Sequence, residues 1–358
     1  MVTNGLRERD LMIYGAYGYT GELITRLAIG RGHNPILAGR NEAALRDLSE
    51  KVGMPYQVVD LTQTSQLDAA LGQVRVVLHC AGPYAITAQP MVEACLRTGT
   101  HYLDITGELE VFEWIASRHE AALNAGVCLL PGVGFDVVPS DCLAAFLKSQ
   151  LPDATHLDLV IKAIGELSRG TTITAIEHIH KGGTVRRNGV LQQVPTAFHQ
   201  RTVQLKDQKP DLAISIPWGD VSTAYHSTQI PNITVYMVAN AKMKQAMKMT
   251  RYFNWLLAMR WVKDQLQSRV KKKITGPTEA HRESSQSFLW GEVKNASGQT
   301  VVAQLQTPEG YKLTAEAAVR AFEKIVFQGL QPGFYTPSKA FGADFILEFD
   351  QVARELLS

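Results

Sequence analysis

Gly15, Gly18 and Gly21 recur at three-residue spacing in the stretch LMIYGAYGYTGELITRLAIGRGHNPILAGRN, residues 11–41. Glycines at this spacing suit a phosphate. Gly15 allows a tight turn off a strand, Gly18 lets a pyrophosphate approach the backbone, and Gly21 lets a helix pack against the sheet. Amides at the helix start, aided by the helix dipole, hold the phosphates. The spacing is GxxGxxG rather than GxGxxG, so the flanking elements carry the weight. The alternative is a glycine turn without a ligand. Arg40 is the second signal. Dehydrogenases that use NAD place an acid at the end of the second strand to bond the ribose 2′-hydroxyl, whereas a cation there suits a 2′-phosphate. Arg40 therefore points to NADP(H), against the alternative of an ordinary surface arginine.

Reduction of a C=C, C=N or C=O bond by such a cofactor also needs a proton donor. Tyr84, Asp104, Glu108 and Asp136 stand where one is needed. Tyr84 has a phenol to give, or is a packed loop tyrosine. Asp104, Glu108 and Asp136 precede helix starts, where a carboxylate caps free amides. Tyr84 and Asp136 are kept as catalytic candidates. Tyr225 and His226 could face a substrate from further along the chain. Two constellations are set aside. Tyr335 and Lys339 share the YxxxK spacing of short-chain reductases, but Pro337 between them disfavours the helix that aligns such a pair. His178 and His180 would point to one face of a strand, with no third ligand close by, so no metal site is expected.

The elements that must position these residues follow from the hydrophobic pattern. Strands are expected at 11–14, 35–38, 56–59, 74–79, 101–103 and 127–130. Helices are expected after Gly18 and at 42–51, 65–71, 90–97, 108–124 and 139–147. Strict alternation of strand and helix implies a doubly wound parallel sheet of the Rossmann type, in an α/β chain. Ligands then lie beyond the carboxyl ends of the strands. Asp60, Cys80-Ala81-Gly82-Pro83, Asp104 and the PGVGFD turn all fall at such ends. This dinucleotide-binding domain spans residues 1–135. Strand-like segments at 157–164, 171–180 and 233–238 suggest a second, α+β domain over 136–327. Amphipathic helices are read at 314–327 and 343–357.

Composition narrows the class. A 45% hydrophobic and 20% charged chain of 358 residues is long enough for two domains. The net charge of +2 offers no field for nucleic acid. Cys80, Cys95, Cys128 and Cys142 form no CxxC pair, which fits reduced thiols in a cytoplasmic protein. The polar start MVTNGLRERD has no apolar signal region, and no apolar run is long enough to span a bilayer. Residues 242–273 hold ten basic side chains and one acid, Asp264. Aromatics such as Trp255 and Trp261 lie between them. Such a stretch either packs as a helical insertion on its own domain or meets a membrane surface or an acidic partner.

Taken together, GAYGYTG, LAGRN, CAGPY, HYLDITGE and PGVGFDVVPSD resemble the saccharopine dehydrogenase-like oxidoreductases, a group that includes trans-acting enoyl reductases. GGTVRRNGVLQQVP, WGDVSTAYHSTQIPNITVY and PGFYTPSKAFG are similar to its second domain and tail, so the likeness runs along nearly the whole chain. It implies a dinucleotide-binding domain, a smaller substrate domain, and a C-terminal segment, 328–358, that packs back on the first. It implies that Gly15, Tyr17, Gly18, Tyr19, Thr20 and Gly21 wrap the pyrophosphate. Arg40 and Asn41 would hold the 2′-phosphate, Asp60 would lie near the adenine, and Cys80, Ala81, Gly82 and Pro83 would run beside the nicotinamide-side ribose. The resulting expectation is an NADP(H)-dependent reductase of a hydrophobic or acyl substrate. An acidic carrier protein or a membrane surface is a further partner, and the chain is expected as a homodimer. The competing expectation is an NADP(H)-binding protein without turnover, acting as a redox-responsive module or at a membrane surface.

Overall fold

The computed structural model of the chain describes residues 9–163, 182–240, 243–245, 247, 249, 255, 259–273 and 278–357. The chain divides into two compact units, Met1–Val138 with Tyr311–Ala340 and Pro139–Gly310 with Phe341–Ser358.

The first unit is built on β1 (Arg9–Tyr14), β2 (Ile36–Gly39), β3 (Tyr56–Val58), β4 (Val74–His79), β5 (His101–Asp104), β6 (Cys128–Leu130) and β15 (Gly333–Phe334). Every pairing is parallel, in the order β15-β6-β5-β4-β1-β2-β3. The central strands are short and largely apolar because both faces are covered there. Met12, Ile13, Leu37, Val76, Val77, Leu78, Leu103 and Leu129 are fully buried. Each such side chain contributes about 1.5–3 kcal/mol of transfer free energy. Helix Tyr19–Gly30 buries Gly21, Ile24, Thr25 and Ala28, one stripe at helical spacing. The strand order reverses between β1 and β4, which makes that junction the topological switch point.

The second unit carries β7 (Ala154–Ala163), β8 (Gly183–Arg187), β9 (Val190–Val194), β10 (Gln200–Val203), β11 (Asp211–Ser215), β12 (Asn232–Val238), β13 (Gln286–Asn295), β14 (Thr300–Pro308) and β16 (Ala353–Leu356). Its main path runs β10-β11-β12-β7-β13-β14-β16, and β8 joins β12 to β9. β12 and β7 are parallel and the other pairs antiparallel, so the sheet is mixed. Helix Val138–Gln150 lies against it at Gly291, where an added Cβ would sit 2.5 Å from Leu147 Cδ1.

Four sequence expectations change. Helix Tyr84–Thr98 starts six residues before Pro90, which lies inside it. The helix expected at 108–124 is two, Leu109–Ala116 and His119–Ala125. Ser117 Oγ donates to Trp114 O at 2.6 Å across the break, a local alternative to the helical ladder. Residues 343–357 are a 3-10 turn, Phe345–Glu348, followed by β16, because the edge of β14 offers that strand a ladder. The unit boundaries also differ from the sequence reading. Residues 311–327 fall in the first unit, and residues 341–358 in the second. His178 and His180, the strand at 171–180 and much of the 242–273 segment lie outside the described residues. Among the described residues no helix is long and apolar enough to cross a membrane.

Candidate cofactor site

The register of the first sheet brings the expected binding residues to one edge. Tyr14 is level with Ala38 on β2 and with His79 on β4, and His79 is level with Asp104 on β5. The turns after β1, β2, β3 and β4 therefore open side by side.

At the first turn the three glycines have separate reasons. Gly15 has φ +82°, and an added Cβ would meet Ala81 Cβ at 2.8 Å, so the turn lies hard against the loop after β4. A Cβ at Gly18 would stand 3.2 Å from Gly15 O, and one at Gly21 only 2.3 Å from the same oxygen. Gly18 is the N-cap of helix Tyr19–Gly30, and no side chain caps its first turn. A backbone that close to the turn, at an uncapped amino end, is a cradle for a phosphate. The residues present fit a dinucleotide.

The second turn supplies positive charge. Arg40, Asn41, Glu42 and Arg46 are exposed and, with Ala43, line an open hollow at the start of helix Glu42–Val52, two cations to one acid. Asn41 Oδ1 accepts from Ala44 N at 3.1 Å, which caps that helix. Asp60, after β3, accepts from Thr62 N and Thr62 Oγ1, each at 2.9 Å. Those bonds, then Arg40, hold its carboxyl below the usual range. Arg46 was missed in the sequence because helical spacing marks it only as a solvent-facing cation.

The fourth turn, Cys80 to Pro83, leads into helix Tyr84–Thr98. Cys80 is half-buried, and burial followed by the charge of Asp104 pushes its thiol up. Glu108, 5% exposed, accepts from Tyr84 N and Ala85 N at 2.8 Å with one oxygen each. It thus caps a helix other than the one it precedes in sequence. Asp104 is fully buried and accepts from Tyr102 OH at 2.6 Å, Gly132 N at 2.8 Å and Thr106 N at 3.0 Å. Burial outweighs these bonds and raises its pKa to about 6.

The two catalytic candidates differ. The Tyr84 hydroxyl donates to His79 O at 3.1 Å, and burial, then Cys80, Asp104 and Glu108, raise its pKa well above the ordinary value. Asp136 lies under Gly107, where an added Cβ would meet Asp136 Oδ2 at 2.8 Å, and burial raises its pKa to about 6. His79 itself is fully buried, with Nε2 3.0 Å from Thr87 Oγ1. Thr87 Oγ1 donates to Ala81 O at 2.7 Å, so His79 Nε2 is the donor of the pair. Tyr225 and His226 lie on helix Asp220–Thr228 of the second unit. Tyr335 precedes helix Pro337–Phe341, whose first residue is the proline, so Tyr335 and Lys339 do not share a helix face.

Residues 11–130 match the saccharopine dehydrogenase NADP-binding domain. A trans-acting enoyl reductase of Mycobacterium leprae is 41% identical over 173 residues, 45% of this chain and 41% of that protein. A saccharopine dehydrogenase-like oxidoreductase of Bos taurus is 30% identical over 169 residues, 40% of this chain and 38% of that one. The chain spans about two fifths of the length of these curated relatives. Apo saccharopine dehydrogenase (L-Glu forming) of Saccharomyces cerevisiae shares the fold, with a TM-score of 0.65 at 12% identity, over 98% of this chain and 100% of that one. Residues 11–130 are thus similar to the saccharopine dehydrogenase NADP-binding domains, and the edge they form suits a nicotinamide cofactor.

Proposed function

We propose that the protein is an NADP(H)-dependent oxidoreductase that reduces a C=C, C=N or C=O bond in a hydrophobic or acyl substrate. The observation that carries this reading is the hollow of Arg40, Asn41 and Arg46 after β2, on the same sheet edge as the glycine cradle. A dinucleotide held at that edge reaches towards the Cys80 to Pro83 turn, beyond the switch point. The cofactor supplies the hydride when bound. The chain supplies the rest. Gly15, Gly18 and Gly21 leave room for the pyrophosphate, and the uncapped amides of helix Tyr19–Gly30 bind it. Tyr17, Tyr19 and Thr20 stand around the same turn, Asp60 flanks the adenine end, and Cys80, Ala81, Gly82 and Pro83 flank the other.

Tyr84 and Asp136 are the proposed proton donors. Burial favours the neutral form of both, which is the form a donor must be in. For Tyr84 to act, its hydroxyl must leave His79 O.

The curated relatives named trans-acting suggest a substrate delivered by another protein. In the basic segment, Trp255 is 65% and Trp261 62% exposed, and Met249 and Met259 are also exposed. Exposed indoles beside cations suit an anionic membrane surface or an acidic carrier. Pelleting of the protein with vesicles containing anionic lipid, compared with neutral vesicles, tests the first. Retention that is unchanged in Trp255→Ala/Trp261→Ala would dismiss a membrane role for the segment.

The cofactor reading is tested by fluorescence titration with NADPH and NADH, on the natural chain and on Arg40→Asp. The expected result is NADPH binding that weakens about 10- to 100-fold in the variant, the loss of a charge-assisted contact. Equal binding of both cofactors, unchanged by Arg40→Asp, would remove the assignment. NADPH oxidation across enoyl, imine and carbonyl acceptors then separates an enzyme from a binding protein without turnover.

A further inference from the structure

The last residue of β2 has no side chain, and the space beside it is taken by Tyr17. A Cβ built at Gly39 would lie 2.6 Å from Tyr17 Cε1, 3.3 Å from Cζ and 3.4 Å from the hydroxyl. Tyr17 comes from the middle of the glycine turn, and its side chain is folded across the strand ends rather than towards helix Tyr19–Gly30. Its neighbours mark the adenosine end of the edge. Tyr14 OH donates to Val59 O at 3.0 Å, and the Tyr14 pKa is raised to about 12 by burial, then by Tyr17 and Asp60, and is opposed by Arg40. Tyr14, Tyr17, Asp60 and Arg40 therefore share one small region.

An enzyme that prefers the unphosphorylated cofactor needs a carboxylate at the end of the second strand, reaching the ribose diol; β2 ends at Gly39, so this place is shared between Gly39 and Arg40, the next residue, where the sequence reading put it. Here an aromatic ring stands where the first atom of such a side chain would start. We propose that Tyr17 is a cofactor-discriminating residue. Its ring fills the place of the ribose-binding carboxylate and leaves recognition to Arg40 and Arg46, the two cations of the hollow that Asn41 and Glu42 also line. This inference rests on the NADP(H) reading above. It has a specific consequence. An acid placed at position 39 meets both the backbone strain of φ +159° and the ring, and only the second of these is relieved by changing Tyr17. The two positions are then coupled rather than additive.

The test uses the full chain and two readouts, thermal unfolding without cofactor and titration with NADPH and NADH. Gly39→Ala should lower the unfolding midpoint, because Gly39 has φ +159° and because its Cβ would meet the ring, and adding Tyr17→Ser should restore the part of the loss that the ring causes. Gly39→Asp should weaken NADPH binding without gaining NADH. Gly39→Asp/Tyr17→Ser should bind NADH at least about tenfold more tightly than Gly39→Asp. Stability losses at position 39 that ignore the Tyr17 change would show that the ring does not fill the slot and would overturn the proposal. So would full NADH affinity in Gly39→Asp with Tyr17 in place. A natural chain that binds both cofactors equally, or neither, sinks the NADP(H) reading itself, a result distinct from either of these.

Discussion

Asp104 is a buried carboxylate that keeps its three hydrogen bonds and still has a pKa raised to about 6, because burial outweighs them. Its folded value lies above the unfolded value of 3.8. The folded state therefore holds the proton more tightly, and stability is lost as pH rises from about 4 through about 6. A shift of about two pKa units corresponds to roughly 3 kcal/mol. Asp104→Asn should remove this slope. Its Oδ1 can still accept from Thr106 N and Gly132 N, and Tyr102 OH can turn to accept from the new amide. Urea unfolding of both proteins at about pH 4.5 and about pH 7, which spans most of the window, reads the difference. The natural chain should lose about 2 kcal/mol more than the variant across that interval, since part of the loss is already present at the lower pH. Parallel pH profiles would show that Asp104 ionises as readily in the fold as out of it.

At the scale of elements, helix Tyr84–Thr98 shows why local pattern misplaced a boundary. Pro90 reads as a helix start, since proline suits a first turn. The true start at Tyr84 is stabilised by Glu108, 24 residues away, whose two oxygens take two orphan amides. That side chain is legible in the sequence only as a cap for its own helix. Glu108→Ala should leave two helix-start amides without acceptors, that of Tyr84 buried and that of Ala85 at the surface, and cost about 1–2 kcal/mol in chemical denaturation. The same variant should loosen the Cys80 to Pro83 turn that the helix follows, seen as faster amide exchange at residues 84–87. A loss below about 0.5 kcal/mol would mean that the cap adds little beyond solvent. Residues 343–357 teach the opposite lesson. Phe345, Ile346 and Phe349 repeat at helical spacing, yet the segment ends as β16 because β14 has an open edge to pair with. Strand pairing is non-local, and periodicity within one segment does not report it.

For the whole molecule, cofactor binding acts through the first unit. A ligand that binds only the folded state stabilises it by about 2.7 kcal/mol at one hundred times its dissociation constant. Saturating NADPH should therefore slow amide exchange most at residues 15–22, 39–46 and 80–85. Exchange in β7 and β12 to β14 should change less. Protection centred on the second sheet instead would place the binding site outside the glycine cradle.

The cofactor edge was readable in residues 11–41 alone, because a glycine turn, an apolar strand and a helix stripe are local features with local causes. The parallel sheet followed from the alternation of strands and helices, and the place of Arg40 followed from the length of β2. Other features needed the fold. Glu108 reaching Tyr84, β16 pairing with β14, and residues 311–340 joining the first unit all depend on contacts between segments far apart in the chain. Tyr17 belongs to the same class. Its place in the glycine turn suggested the pyrophosphate, but the register of β1 and β2 set Gly39 beside it, and the missing Cβ let the ring lie across the strand end. Residue type and spacing determine what a turn is able to bind, whereas the packing of neighbouring strands decides which space each side chain fills.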